Sequence, residues 1–380
     1  MKIEGFNGFD DIEGLTEEWY KLLHRCGIVP LYLSPAWVYN WFKFFGKDCT
    51  PFIITGSIEN RLIFVLPLSL RKFLIPYFRI LHFVGYPGSD HLGFIADSEY
   101  KEEVTKKLLA FLEEHRSKWD VCDLAEIPES IFDHLFLSDP NICGSLKKFR
   151  VIDGSQCPYL KIDSNWEEFY RKRKKRKFRY NIERARKQLE GLGAVEFKTL
   201  KTGEDIEHYL PQIFEIHRRR WEGYYTGSKF STPSGEEFYT KVAKEYQARG
   251  WLDIALLLLN GQAIAYSYSF IWRGEYFYYN PAHDPKFSKY SPGTLLLIYI
   301  LERSFNLGFK RFDFGRGELP YKSYWADDIR QNKRLIFPSP HLKGEIGFHL
   351  YLIILRLRDY LQKSILVRMV LSKLSFLKNR

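Results

Sequence analysis

The sequence predicts an α/β protein (α+β in the disposition of its elements) of two tandem domains, each a mixed, mostly antiparallel sheet flanked by helices. Three observations lead there. A chain of 380 residues that is 45% hydrophobic and 27% charged, with a mean hydropathy of −0.30, can close two cores of ordinary size. That composition excludes a disordered regulator, a fibrous repeat and a polytopic membrane protein. One order of elements, a helix, three strands, a helix and a strand, occurs twice along the chain. Between the copies, Gly154, Ser155 and Pro158 cluster as a join, giving domains at 1–155 and 156–340 and a basic helical tail at 341–380.

In the first copy a helical segment from Pro35 to Phe45 precedes the strands Phe52 to Ile58, Leu62 to Leu68 and Ile80 to Val84. A helix from Glu99 to Glu114 and the strand Val121 to Ile127 follow. In the second copy a helix near Leu210 to Trp221 precedes the strands Leu252 to Leu259, Ala263 to Trp272 and Glu275 to Asn280. A helix from Pro292 to Leu307 and the strand Arg311 to Phe314 close it. The longest apolar stretch, Trp251 to Phe270, is interrupted by Asp253 and by Asn260-Gly261, so it reads as two strands of a hairpin and not as a membrane span.

The formal charge of +11 is unevenly placed. Residues 171–179 supply +8 and residues 341–380 supply +6 (8 basic, 2 acidic), which leaves −3 elsewhere. The body of the protein is therefore not a DNA-binding face. The basic run opening the second domain reads either as a solvated helix face or as a contact for an anionic partner. The tail reads either as a helix docked on the protein or as a contact with an anionic membrane surface. Five cysteines, Cys26, Cys49, Cys122, Cys143 and Cys157, form no C-x-x-C pair, so no metal site is expected. The early acids of MKIEGFNGFDDIEG do not suit a signal peptide, and a cytoplasmic protein, peripheral to the membrane at most, is expected.

The segment Lys289 to Glu318 carries the most chemistry. Ser291 suits a helix N-cap and Pro292 the first helical position. The N–H groups of Gly293, Thr294 and Leu295 would then point out of the helix with the positive end of its dipole, where a pyrophosphate can dock. The corresponding helix of the first copy begins with Asp97, Glu99, Glu102 and Glu103, which would repel a phosphate. After the second-copy helix comes Phe312-Asp313-Phe314-Gly315-Arg316-Gly317-Glu318, with a carboxylate at a strand end. Asp313 is a general-base candidate, with Glu318 in reserve, and a structural salt bridge from Asp313 to Arg316 is the plain alternative. Backbone N–H groups near Tyr279 and Asn280 would polarise a thioester carbonyl, and Tyr321 or Tyr324 would return a proton to the leaving thiolate. Arg316 and Lys322 would clamp an anionic acceptor, while Trp221, Trp325 and Tyr279 would stack on a sugar or simply fill the core.

The segments SPGTLLL, FKRFDFGRGELPYKSYW, PLYLSPAWVYNWFKFFG and LIFVLPL, with the Arg-rich opening of the second domain, resemble the bacterial tandem-GNAT family with a BioF-type acetyltransferase-like domain. That family includes CelD-type proteins of polysaccharide loci and is related to the FemABX peptidyltransferases. The resemblance covers roughly residues 10–335, and its strongest motif is D-F-G-R-G-x-x-x-Y-K-x-x-W at Asp313 to Trp325. It implies an acetyl-CoA or other acyl-CoA donor bound by the second domain. The usual Q/R-x-x-G-x-G/A loop is replaced here by Lys289 to Thr294. It further implies N-acylation of a small-molecule or lipid-linked amino sugar for a surface polysaccharide of the cell envelope. Two other readings stay open. One is a FemABX-like aminoacyltransferase that grips tRNA through 11 Lys or Arg among residues 171–187, and the other is a non-catalytic scaffold of a polysaccharide-synthesis complex.

Overall fold

The structure, a computed structural model, describes residues 1–8, 12–27, 30–73, 78–132, 148–223, 230 and 232–363. The chain forms two compact units, one of Met1–Gln156 completed by the segment from Arg330 onward, the other of Cys157–Ile329. The second unit is thus inserted into the first, where the sequence suggested two consecutive blocks.

The first unit opens with β1 (Lys2–Phe6), α1 (Thr16–Arg25) and α2 (Pro35–Phe45). Ser34 caps α2 by accepting the N–H of Trp37 at 3.3 Å, and Pro35 takes the first helical position. The meander β2 (Cys49–Ile58), β3 (Arg61–Phe73) and β4 (Phe78–Phe83) follows, with the short β5 (Ile95–Ala96) against β3. The helix α3 (Lys101–Glu114) then crosses to β6 (Val121–Pro128), which lies parallel to β4 over Ile80↔Val121, Leu81↔Cys122 and His82↔Asp123. The four-residue α4 (Glu129–Phe132) ends the described stretch.

The expected join is not a loop, because β7 (Arg150–Lys161) runs straight through Gly154, Ser155 and Pro158. Glycine serves close approach here: a Cβ on Gly154 would lie 3.1 Å from the carbonyl oxygen of Asn332. The second unit continues with α5 (Trp166–Arg173), α6 (Arg176–Glu190), β8 (Val195–Thr199), α7 (Gly203–Trp221) and α8 (Pro233–Ala248). The basic run is therefore not one helix but two, with a corner at Lys174 and Lys175. Helix α7 starts a full two turns before the expected Leu210, since Thr202 caps it through the N–H of Asp205 and Pro211 is accommodated within it.

A second meander follows: β9 (Leu252–Leu259), β10 (Gln262–Trp272) and β11 (Glu275–His283). The first hairpin turns at Asn260-Gly261, both at positive φ. The helix α9 (Pro292–Asn306) crosses to β12 (Arg311–Asp313), which is parallel to β11 over Glu275↔Arg311, Tyr276↔Phe312 and Phe277↔Asp313. The sheet order in this unit is β7-β12-β11-β10-β9-β8. Helix α9 packs one face of it, in a core with Ala255, Leu257, Tyr276, Tyr278 and Phe312. Helices α7 and α8 take the other face, where His217 meets Tyr266 and Tyr239 meets Tyr268. The duplication seen in the sequence thus extends to register: each unit has one three-rung parallel pair, and each pair ends on an aspartate.

After α10 (Pro320–Trp325) the strand β13 (Asp328–Pro338) returns to the first unit and pairs antiparallel with β6, and α11 (Leu342–Lys363) docks behind it. Phe348 is buried with Ile80, Val121 and Ile336. Asp123 accepts from the Arg334 guanidinium at 2.7 and 2.6 Å and from the Tyr351 hydroxyl at 2.7 Å. The start of the tail is therefore docked, and residues 364–380 lie outside the described residues.

Candidate active site

In the second unit β12 ends at Asp313, its last rung with β11, while β11 continues from Tyr278 to His283 paired only with β10 on its other side. A wedge opens between the two parallel strands at Asp313. The N-terminus of α9 stands beside the same stretch of β11, because the chain passes from β11 through a single 3₁₀ helix, Pro285–Tyr290, before entering α9. Two buried ties fix the surroundings. Asp253 binds Arg303 of α9 and accepts from the Tyr276 hydroxyl at 2.8 Å, and Asp284, at the cap of the 3₁₀ helix, pairs with Arg219 of α7 at 2.7 Å.

The helix entry departs from expectation in its cap. Ser291 occupies the N-cap position but adopts a left-handed conformation, φ 52°, and its side chain makes no capping bond. Its carbonyl instead accepts the N–H of Thr294 at 3.0 Å and of Leu295 at 3.1 Å, as the first bonds of the helix. Of the three N–H groups expected to be open, that of Gly293 alone has no partner among the described residues. Gly293 lies against His283, whose Nδ1 would be 3.2 Å from a Cβ added there. Burial, then the charge of Arg220, pushes the His283 value down, so its ring stays neutral near pH 7. Asn280 is 6% exposed and its Nδ2 has no hydrogen-bond partner among the described residues. A bulge in β11 between Phe277 and Asn280 breaks the strand alternation, and Asn280, opposite Tyr268, lies on the α7/α8 face, while His283 returns to the α9 face. Tyr279 points to the same α7/α8 face, its hydroxyl 3.0 Å from that of Tyr239 and so engaged there. The first turn of α9 holds no acid, whereas that of α3 holds Glu102 and Glu103.

Asp313 is fully buried, and its Oδ1 accepts the Gly315 N–H at 2.7 Å. Phe312 and Phe314 both sit in the α9-side core, which directs the Asp313 carboxylate to the opposite face of the sheet. The turn that follows has Gly315 at φ 68° and Gly317 at φ 99°, values that suit glycine, and presents the half-buried Arg316 between them. Lys322 does not stand free as an anion clamp. It is 6% exposed, and its ammonium donates to the carbonyls of Gly315 at 3.2 Å and Arg316 at 2.5 Å, so it positions this turn. Glu318 is exposed and Tyr321 half-buried against the core. Trp221 is half-buried at the end of α7, with the Arg220 guanidinium 5.5 Å from its ring.

Trp325 cannot stack on a sugar, because it is 1% exposed and packs against Tyr170 and Phe178. Lys174 was hidden by its cationic neighbours in the sequence. It is 1% exposed, with its Nζ 3.3 Å from the Tyr324 ring centroid, 3.7 Å from that of Trp325, and donating to the Tyr324 carbonyl at 2.7 Å. With Arg173, which binds the Ala326 carbonyl and Asp327, it holds the C-terminal end of α10, the helix that carries Lys322. Loss of water, then the charge of Arg173, pushes Lys174 down to about 7. The folded protein therefore binds fewer protons than the unfolded chain between about pH 7 and the ordinary lysine value, and stability rises with pH across that window. Below it, the cost of burying the cation is fully present. Relative to Lys174→Met, the unfolding free energy of the native protein is expected to gain up to about 1.4 kcal/mol per pH unit in chemical denaturation between pH 7 and 9. A flat difference would mean that the rings hold the charge.

The second unit thus sets a crossover helix with an open, acid-free N-terminus beside a split parallel pair. Residues 176–323 match the family described as acetyltransferase (GNAT) domain, so the second unit is a GNAT N-acyltransferase domain. No curated protein matches the chain. Among solved structures, FemX superposes with a TM-score of 0.60 at 11% identity, over 88% of this chain and 97% of that one. A conserved protein of unknown function from Bacteroides thetaiotaomicron gives 0.52 at 12% identity, over 88% and 100%. The C-terminal DUF2156 domain of a protein from Agrobacterium fabrum, described as a lysylphosphatidylglycerol synthetase, gives 0.52 at 10% identity, over 90% and 96%. The chain has the FemX-like fold.

Proposed function

We propose that the second unit transfers an acyl group, most simply acetyl, from coenzyme A to the amine of an amino sugar or related precursor of a surface polysaccharide. The carrying observation is the wedge. A molecule threading it from the α9 face would meet the Gly293 N–H beside His283 on entry and reach Asn280 and Asp313 on the opposite face. Pyrophosphate at the start of α9 suits the free N–H and the dipole. The thioester carbonyl would lie along Tyr278 to His283, where backbone groups unpaired by β12 polarise it. The amine nitrogen attacks the carbonyl carbon, the C–S bond breaks, one amine proton leaves toward Asp313 through water, and the thiolate takes up a proton, with Tyr321 as the candidate donor. Arg316, on the turn that Lys322 positions, would meet an anionic group of the acceptor.

The aminoacyl-tRNA reading is weakened by the fate of the basic run. Lys174 is enclosed, Arg173 is bound to Asp327 and Ala326, and Arg179 donates to the carbonyls of Arg171 and Lys174. The test is release of free CoA thiol from acetyl-CoA with a panel of amino sugars and their nucleotide derivatives, with products weighed by mass spectrometry. Amine-dependent thiol release with a product heavier by one acetyl group is expected. Binding of aminoacyl-tRNA without binding of any acyl-CoA would replace the reading.

A further inference from the structure

The helix α11 presents two apolar faces, and among the described residues only one is packed. Phe348, Tyr351 and Leu355 pack on the first unit. On the other side Ile346, Leu350, Ile353, Leu357, Tyr360 and Leu361 are exposed, with Ile353 at 51%, Leu357 at 56% and Tyr360 at 73%. At 3.6 residues per turn these six fall within an arc of about 100°, a continuous stripe and not scattered surface residues. Arg356 and Arg358, both exposed, lie on opposite flanks of the stripe, and Asp359 lies on the far side. The chain that follows, residues 364–380, contains Arg368, Lys373, Lys378 and Arg380 and no acid. No helix among the described residues is long and apolar enough to cross a membrane.

We infer that α11 lies flat on an anionic phospholipid bilayer, its stripe in the acyl boundary and its arginines at the headgroups. The flanking charges choose this occupant. A second copy laid on the stripe would set Arg356 and Arg358 against their like, and the following segment of the same chain would add four more cations, whereas acidic lipid neutralises both sets. The depth suits the geometry, since an amphipathic helix inserts by one face while its opposite face remains attached to the protein.

The experiment is co-sedimentation of the full chain with vesicles of phosphatidylcholine alone or with about a third phosphatidylglycerol, a composition giving a strongly negative surface. Binding to the anionic vesicles is expected to exceed binding to the neutral ones by at least about tenfold and to weaken steeply as salt shortens the screening length. Leu350→Asp with Leu357→Asp, both at exposed positions, should abolish binding while leaving the melting temperature and acetyl-CoA affinity unchanged. Arg356→Gln with Arg358→Gln should lower binding to anionic vesicles only. Equal binding to both vesicles, binding that survives the Asp pair, or a dimer in solution dissolved by the Asp pair would each overturn the inference. Because donor affinity is measured alongside, failure here is separable from failure of the acyltransfer reading.

Discussion

Gly293→Asp is expected to raise the dissociation constant for acetyl-CoA by about 100-fold or more in calorimetry, with the fold intact by circular dichroism. Two effects add. The carboxylate places a negative charge at the positive end of α9, where the donor phosphates would sit. Its Cβ also meets the His283 ring at 3.2 Å, which crowds the approach to the one N–H left open there. Gly293→Ala separates them, since it keeps the crowding without the charge and should weaken binding by only a few fold. Unchanged affinity in the Asp variant would move the donor away from α9. The equivalent change in the first unit is uninformative, because Glu102 and Glu103 already stand at the start of α3.

Asp313→Asn is expected to lower turnover by about 100-fold or more while leaving donor affinity and the melting temperature near their native values. The substitution is chosen for geometry. An amide oxygen can still accept the Gly315 N–H that Asp313 accepts at 2.7 Å, so the turn carrying Arg316 keeps its anchor while the charge is lost. Asp313→Ala removes both and should lose stability as well as turnover. If the Asn variant melts normally and turns over like the native enzyme, Asp313 is a turn anchor only, and Glu318 becomes the base to test.

Local rules carried the sequence reading a long way. The hairpin at Asn260-Gly261 and the glycines flanking Arg316 follow from single-residue conformational preferences, α2 spans the expected Pro35–Phe45, and β9 lies where its apolar run placed it, at Leu252–Leu259. What escaped depends on distant partners. Residues 171–179 read as one helix, either a solvated face or a contact for an anionic partner, because eight of nine are cations, yet Lys174 is enclosed by rings from Tyr324 and Trp325 about 150 residues later, and no local pattern announces that. Lys322 and Trp325 looked like recognition groups because their types suit ligands, but the turn and core of the unit use them first. Gly154 looked like a break because glycine usually is one, whereas here it admits a neighbouring backbone inside a strand. Ser291 has the right identity for a cap in the wrong conformation.

The insertion of the second unit within the first has a consequence for the order in which the protein is made. A chain emerging from the ribosome has β6, with Asp123 on it, long before β13 and α11 supply Arg334 and Tyr351. A carboxylate buried without those donors is costly, so the first sheet settles only after Arg334 and Tyr351 have been made. The second unit, by contrast, has every strand of its sheet once Asp313 is synthesised and its core residues by Ala326, and can complete that core while the first is still waiting. The N-terminal unit is therefore the late one. Its stability rests on β13 and α11, and a chain cut at Ile329 is expected to keep the second unit and lose the first.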